Sequence, residues 1–304
     1  LADLILTSEF RNRVYSFHLT SSRAKKPAGV PPVEPRAIKK IGVLGAGLMA
    51  SQFATLFAEK QGVPVVLTDV SQERVDAAIT RIGDALNGRV DRGSLTPARR
   101  SEILANLHTT LDKSDFADCD FVMEAVFEDL DVKVAVLREI EEFVSTECLL
   151  ATNTSSLSVT AMAEALEHPE RLIGFHFFNP VAVMPLIEVV ATVHSDDVAI
   201  SSAIACAANL RKTAVITKDL PGFVVNRILS VFLSEALVEV DRQVGPEFVS
   251  RALEPLRLPM DPFALIDLIG RAVTLHMIES LHDFAPDRVI VSPSLVTATE
   301  NPVT

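Results

Sequence analysis

Two side chains inside apolar stretches are the strongest candidates for chemistry. His176 stands between two phenylalanines, and Glu188 stands between an isoleucine and a valine. A carboxylate in an apolar strand is costly unless it is paired, and an imidazole beside it would form a charge-assisted hydrogen bond. We therefore predict that Glu188 pairs with His176 and that the imidazole serves as a general base near neutral pH. A lone histidine between apolar residues can equally be a core residue, and the pattern alone leaves that alternative open.

A third polar segment, Thr152-Asn153-Thr154-Ser155-Ser156, follows an apolar stretch that ends at Ala151. Ligands of open α/β sheets bind beyond the carboxyl ends of the strands, so this segment is a candidate for ligand contact. Its alternative role is to cap a helix that begins near Ser158.

The elements that must position these groups begin with a glycine-rich stretch, Gly45 to Ala50. An apolar strand, Ile41 to Leu44, runs into it, a helical pattern follows, and a second apolar run ends at Asp69. Strand, glycine turn, helix, strand and acidic residue in this order are typical of a dinucleotide-binding unit.

Each part of this motif has a physical task. Gly45 permits the turn, Gly47 lets the backbone approach a pyrophosphate, and Ala50 is small enough for close packing of helix on strand. The N-terminus of the helix offers free amide groups to phosphates. A carboxylate at Asp69 would accept hydrogen bonds from the ribose hydroxyls and repel a 2′-phosphate. This predicts NAD rather than NADP as the cofactor.

Composition narrows the class of protein further. The 304-residue chain carries a formal net charge of −12, which argues against nucleic acid as a partner and requires local cations for any phosphate-bearing ligand. Its uncharged runs are far shorter than a membrane span. Three cysteines, Cys119, Cys148 and Cys206, show no metal-binding or redox spacing, so no metal site is predicted. They indicate reduced thiols in an intracellular protein. The cytoplasm is the expected location, with an organelle matrix as the alternative.

Alternating apolar strands and helical patterns predict an α/β fold, a Rossmann-type doubly wound parallel sheet, followed by an all-α C-terminal domain. Three regions are expected: 1–37, a helix and a proline-rich segment that form the tail of a preceding domain; 38–218, the NAD-binding domain; and 219–304, a helical domain. A helical piece is expected to end near Leu107. The stretch Phe223 to Val240 is apolar on most sides, so it should be buried against its own domain or another subunit.

The N-terminal region has a second interpretation. Its basic run, Arg23-Ala24-Lys25-Lys26, fits a mitochondrial presequence, but Asp3 and Glu9 count against that. A docking helix with Phe10, Val14 and Phe17 on one face, followed by a linker rich in proline, explains the pattern better.

Six stretches together resemble the L-3-hydroxyacyl-CoA dehydrogenase family of fatty-acid β-oxidation, over about residues 38–270. These stretches are VLGAGLMA from Val43, EAVFEDLDVK from Glu124, TNTSSLS from Thr152, GFHFFNPVAVMPLIEVV from Gly174, KDLPGFVVNR from Lys218 and LPMDPFALIDLIG from Leu258. Residues 1–36 resemble the linker that follows the enoyl-CoA hydratase domain in multifunctional β-oxidation proteins. The resemblance therefore implies part of a multifunctional enzyme, with a linked hydratase domain and an associated thiolase as partners.

The resemblance also assigns roles to residues. His176 would be the general base that takes the proton of the 3-hydroxyl, Glu188 would orient it, Ser155 would bind the substrate oxygen, and Asn226 would position base and substrate. The residues implied in cofactor binding are Gly45, Gly47, Leu48, Met49, Ala50, Asp69, Glu128, Lys133, Asn153 and Asn179.

The implied reaction is NAD-dependent oxidation of an L-3-hydroxyacyl-CoA to the 3-ketoacyl-CoA. One alternative is a related NAD-dependent dehydrogenase of a free hydroxy acid, against which the hydratase-type linker counts. The other is a non-catalytic binding protein of the same fold, which is disfavoured because Ser155, His176, Glu188 and Asn226 are all present. The apolar stretch after Phe223 further predicts self-association through the helical domain.

Overall fold

A computed structural model describes residues 5–25 and 27–300. The chain divides into two compact units, of which the first ends at Asp219 and the second begins at Leu220. No helix within the described residues is long and apolar enough to cross a membrane.

The first unit is built on an eight-stranded sheet with the order β3-β2-β1-β4-β5-β6-β7-β8. Its strands are β1 (Ile41–Leu44), β2 (Val65–Thr68), β3 (Leu107–Thr109), β4 (Phe121–Glu124), β5 (Leu149–Thr152), β6 (Leu172–Phe177), β7 (Leu186–Ala191) and β8 (Thr213–Lys218). The central strands β1, β2, β4 and β5 are buried along their whole length. A sheet covered on both faces requires such continuous apolar strands, and the predicted Rossmann-type architecture is confirmed.

Helices cover the sheet, and several begin at a side-chain cap. Those of the first unit are α1 (Ser8–Lys25), α2 (Leu48–Lys60), α3 (Gln72–Asp91), α4 (Pro97–Ala105), α5 (Leu130–Glu141), α6 (Val159–Glu164) and α7 (Asp197–Asn209). Ser71 caps α3 by accepting from the Arg74 amide, and Ser158 caps α6 by accepting from the Ala161 amide. A capping oxygen satisfies one of the four amides that an α-helix leaves without a carbonyl partner at its start.

Two local features were not anticipated from the sequence. The helical piece expected to end near Leu107 ends at Ala105, and Leu107 begins the short edge strand β3, which pairs with β2. The sheet is also not uniformly parallel, because β7 runs antiparallel to β6. The connection between them spans only residues 178–185, which is too short for the crossover that a parallel neighbour requires.

The proline-rich segment before β1 is attached to the first unit. The hydroxyl of Ser201 donates to the Pro31 carbonyl over 3.1 Å, and the Arg36 amide donates to Ser202 Oγ over 2.9 Å. Arg36 also pairs with the Glu147 carboxylate at 2.7 Å. The apolar residues expected on one face of α1 are by contrast exposed, with Phe17 at 65%.

The second unit is helical, as predicted. It contains α8 (Val225–Asp241), α9 (Pro246–Leu253), α10 (Pro262–Ile269), α11 (Arg271–Phe284) and α12 (Pro293–Glu300). Its core joins α8 to α11 and α12 through Leu233, Leu237, Ile278 and Leu295. The buried face of α8 therefore packs within its own unit.

Candidate active site

His176 and Glu188 are direct cross-strand neighbours. The antiparallel register of β6 and β7 places the two residues opposite each other, and His176 Nδ1 lies 2.7 Å from Glu188 Oε2. His176 is 5% exposed and Glu188 is fully buried. With Nδ1 donating to the carboxylate, Nε2 is the proton-accepting nitrogen of the neutral imidazole. The pair thus has the arrangement of a base held in one tautomer by a buried acid.

The segment that carries Ser155 is fastened by the Glu128 carboxylate. Glu128 Oε1 accepts from the Thr154 hydroxyl over 2.6 Å and from the Ser155 amide over 3.1 Å. Thr154 is buried, whereas Ser155 is exposed. The same segment includes Asn153, whose Oδ1 accepts from the Phe177 amide over 3.3 Å. This bond links the end of β5 to the residue that follows His176.

Lys133 lies beneath this segment and is fully buried. Its ammonium contacts both oxygens of the buried Glu124 carboxylate, at 2.8 and 2.9 Å, and the Asn153 carbonyl at 3.1 Å. A longer contact of 3.4 Å reaches Glu128. Burial raises the pKa of Glu124, which the Lys133 ammonium and the Thr152 hydroxyl oppose. Sequence reasoning missed Glu124, although a carboxylate at the end of an apolar strand was the signal that singled out Glu188.

A cleft of about 560 Å³ opens beside the glycine turn. Among the predicted cofactor residues it is lined by Gly45, Gly47, Leu48, Met49, Asp69, Glu128 and Asn153. Ala50 is buried behind the turn, and Asn179 is exposed on the connection between β6 and β7. Arg74 and Lys113 also line the cleft. The net charge of the chain predicts local cations at a phosphate-binding site, but the sequence did not identify these two.

The turn itself fits a dinucleotide. Gly45 has φ +104°, and a Cβ there would lie 2.6 Å from the Ala125 carbonyl oxygen, so only glycine fits without strain. A Cβ on Gly47 would meet nothing within 4 Å, which leaves room for a ligand against the backbone. The first-turn amides of α2 have no carbonyl partner one turn back in the helix, and free amides at a helix start are suited to bind an anion such as a pyrophosphate.

Charged side chains hold the turn in place from behind. Asp69 Oδ2 accepts from the Ala46 amide over 2.6 Å, and Arg81 Nη1 donates to the Ala46 carbonyl over 3.2 Å and to Ser51 Oγ over 2.8 Å. Asp69 Oδ1 accepts from the Val70 amide over 2.7 Å and lies 3.3 Å from Arg74 Nη1. These contacts fix Asp69 at the edge of the cleft.

Asn226 belongs to the second unit. It is the second residue of α8 and is half-buried. The turn before α8 has left-handed backbone at Gly222 and Phe223, with φ of 70° and 46°. The Arg227 guanidinium donates back to the Pro221 carbonyl over 3.1 Å and holds this start of the helix.

The fold and the cleft together define a dinucleotide-binding α/β protein. Residues 40–220 match the family model described as 3-hydroxyacyl-CoA dehydrogenase, NAD binding domain, and residues 222–301 match the C-terminal domain of the same family. The chain belongs to the 3-hydroxyacyl-CoA dehydrogenase family, and its cofactor is NAD. The predictions of family and cofactor are confirmed.

Relatives and solved structures agree with this assignment. The chain is 39% identical over 271 residues to the fatty acid oxidation complex subunit alpha of Psychrobacter cryohalolentis, covering 89% of the chain but 38% of that relative. It is similar to the crystal structure of (S)-3-hydroxybutyryl-CoA dehydrogenase from Ralstonia eutropha, with 31% identity, a TM-score of 0.84, and coverage of 87% of this chain and 94% of that one. The 3-hydroxybutyryl-CoA dehydrogenase of Escherichia coli gives 34% identity, a TM-score of 0.83, and coverage of 87% and 57%.

Proposed function

We propose that the protein oxidises the 3-hydroxyl of an L-3-hydroxyacyl-CoA to a ketone with NAD, as a step of fatty-acid β-oxidation. The observation that carries the proposal is the His176–Glu188 pair, at 2.7 Å. Phe177, the residue after His176, is hydrogen-bonded to Asn153, which lines the dinucleotide cleft. A base and a hydride acceptor on adjacent sites are the two requirements for oxidation of a secondary alcohol.

The residues divide the chemistry among them. NAD, when bound, supplies the acceptor for the hydride that leaves C3. His176 Nε2 takes the hydroxyl proton, and Glu188 stabilises the imidazolium that results. Ser155 donates a hydrogen bond to the substrate oxygen. The family resemblance assigns to Asn226 the role of positioning the base and substrate. The first-turn amides of α2 bind the pyrophosphate, and Asp69 accepts the ribose hydroxyls.

Steady-state reduction of acetoacetyl-CoA with NADH tests this function. We expect turnover with the thioester and little with free acetoacetate at the same concentration. Equal rates on both would favour a dehydrogenase of free hydroxy acids. NADH binding without turnover of either would favour a non-catalytic binding protein.

The wider assembly is also a proposal. The chain spans 38% of the length of the fatty acid oxidation complex subunit to which it is similar. We propose that residues 1–37 are the tail of an enoyl-CoA hydratase domain, that 38–218 bind NAD, and that 219–304 serve the substrate and self-association. An associated thiolase would consume the 3-ketoacyl-CoA. Such an enzyme would work in the cytoplasm or an organelle matrix.

A further inference from the structure

The connection between β6 and β7 is held by side chains from three other parts of the chain. Asn153, after β5, holds its start through the Phe177 amide. Gln52, on α2, holds its middle, because Gln52 Oε1 accepts from the Val181 amide over 2.9 Å. Lys212, before β8, holds its end by donating to the Val181 and Met184 carbonyls over 2.7 and 2.6 Å. The segment that follows His176 is thus fixed to the helix that begins at the glycine turn.

Gln52 also makes a second hydrogen bond, in which it is the donor. Gln52 Nε2 donates to Asn179 Oδ1 over 3.2 Å. Because Gln52 Oε1 is already engaged by the Val181 amide, its Nε2 is the group that faces Asn179. The Asn179 amide must therefore turn its oxygen toward Gln52, which directs its Nδ2 hydrogens away from α2. Asn179 is exposed, so a ligand has access to them.

We infer that Gln52 is a positioning residue that sets Asn179 as a hydrogen-bond donor to a carbonyl oxygen of the bound ligand. The inference rests on the proposed function and identifies the ligand group by its chemistry. Two ligands present such a group: the cofactor through its carboxamide, and the acyl-CoA through its thioester or ketone. Packing alone would not require Gln52 to use both of its amide groups.

The isosteric change Gln52→Glu reverses the polarity of this contact. The new carboxylate still accepts from the Val181 amide but cannot donate to Asn179. Asn179 would then rotate to donate its own Nδ2, which would turn its oxygen toward the ligand carbonyl. With the Asn179 oxygen facing the ligand carbonyl oxygen, neither has a donor, and binding of that ligand should weaken about 10- to 100-fold.

The dissociation constants of NADH and of acetoacetyl-CoA, measured by titration, identify which ligand Asn179 serves. If only the dissociation constant of NADH rises, the Asn179 amide donates to the cofactor. If only that of acetoacetyl-CoA rises, it donates to the substrate. Parent values for both ligands would overturn the inference. Turnover by the parent protein, measured in parallel, tests the proposed function separately.

A double-mutant cycle separates positioning from general damage. In the Asn179→Ala background, Gln52→Glu should have no further effect on the affected dissociation constant, whereas a merely structural role would give additive losses. Gln61→Glu, the same change at the residue that follows α2, is the matched control for added charge and should leave both dissociation constants at parent values. Thermal unfolding of each variant checks that the fold is retained.

Discussion

At the scale of single residues, His176 and Glu188 can pair because the register of β6 and β7 places them opposite each other. The two side chains share one face of neighbouring strands, and both are buried. A buried carboxylate is tolerated there because it accepts a hydrogen bond from the imidazole N–H. The energetic cost of burying Glu188 is thus tied to the presence of His176.

We predict that His176→Gln and Glu188→Gln each lower kcat for acetoacetyl-CoA reduction by about 10²- to 10⁴-fold, the usual effect of losing a general base. NADH affinity should stay within about threefold of the parent value, since neither residue lines the dinucleotide cleft. Steady-state rates and NADH titration measure both quantities. Glu164→Gln, on the exposed side of α6, is the control, and a parent rate in either active-site variant would contradict the assignment.

Cofactor choice is a second property of single residues. Asp69 should make NADP bind far more weakly than NAD, and Asp69→Ser should narrow that difference about tenfold or more. The reason is that removal of the carboxylate releases Arg74, now 3.3 Å from Asp69, to bind a 2′-phosphate. Fluorescence titration with both nucleotides measures the change.

Two further variants make that test specific. Arg74→Ala in the Asp69→Ser background should remove the gain in NADP affinity. Asp69→Asn removes the charge of Asp69 but keeps a hydrogen-bond acceptor for the Ala46 amide, so it separates the effect of the charge from that of the hydrogen bond. A parent protein that bound both nucleotides equally would refute the role of Asp69.

At the scale of elements, the segment between β4 and β5 is organised around one buried ion pair. Lys133, on α5, reaches Glu124 at the end of β4 and the Asn153 carbonyl after β5. The resemblance assigned Lys133 to the cofactor, but its side chain is fully buried, does not line the cleft, and contacts Glu124 and the Asn153 carbonyl instead. It fixes the backbone that presents Asn153 and Ser155.

We expect Lys133→Met to lower the free energy of unfolding by about 3–5 kcal/mol, because it leaves the Glu124 carboxylate buried without its cation. The double variant Glu124→Gln with Lys133→Met should recover much of that loss, since no charge then remains. Denaturant unfolding measures both. Equal stability of the single and double variants would show that Glu124 is neutral in the folded protein.

The pair of Glu59 and Arg89 gives the fold a pH dependence. The two guanidinium contacts, at 2.7 and 3.0 Å, and the neighbouring Lys60 lower the pKa of Glu59 to about 2. This carboxylate therefore adds stability that is complete above its unfolded pKa, near 4.5, and is lost as the pH falls toward 2.

Glu59→Gln should accordingly destabilise the protein by about 2 kcal/mol at pH 7, with the difference from the parent shrinking between pH 4.5 and 2. Unfolding by denaturant at several pH values tests this. Glu102→Gln, on an exposed pair with Arg99, should show little change at any pH. A Glu59 variant whose deficit was constant from pH 7 to 2 would contradict the ion-pair explanation.

Sequence reasoning identified most elements because their signals are local. Ser71 and Ser158 predict the starts of two helices, and continuous apolar runs predict the buried strands. The reversal at β7 and the edge strand β3 escaped it, because strand direction and edge pairing depend on partners distant in the chain. The same holds for the site: residue types suggested His176 with Glu188, whereas Gln52, Arg81 and Glu124 act through contacts that no local pattern reveals.

At the scale of the whole molecule, the second unit exposes several large apolar side chains. Its exposed apolar side chains include Ile228, Phe248, Leu256, Leu268, Val273 and Phe284, each more than half exposed. An apolar cavity of about 400 Å³ also opens between α8 and α9, beside Phe232 and Phe248. Exposed apolar side chains that form a contiguous patch mark interaction sites.

We predict that the chain self-associates through this surface. Light scattering should give a mass above that of one chain at tens of micromolar, and Phe248→Glu with Leu268→Glu should restore the single-chain mass. Phe17→Glu, on the exposed helix α1, is the control for an apolar surface change outside the second unit. A single-chain mass for the parent protein at every concentration would refute the prediction.

The cross-strand pair of His176 and Glu188 has a consequence for folding. A one-residue slip between β6 and β7 would carry every β7 side chain to the opposite face of the sheet. Glu188 would then be buried away from His176, leaving a charge in the apolar interior without its partner, at a cost of several kcal/mol. Slipped pairings are disfavoured by the same two residues that are proposed to move the proton. Selection for the chemistry therefore also selects for correct strand alignment.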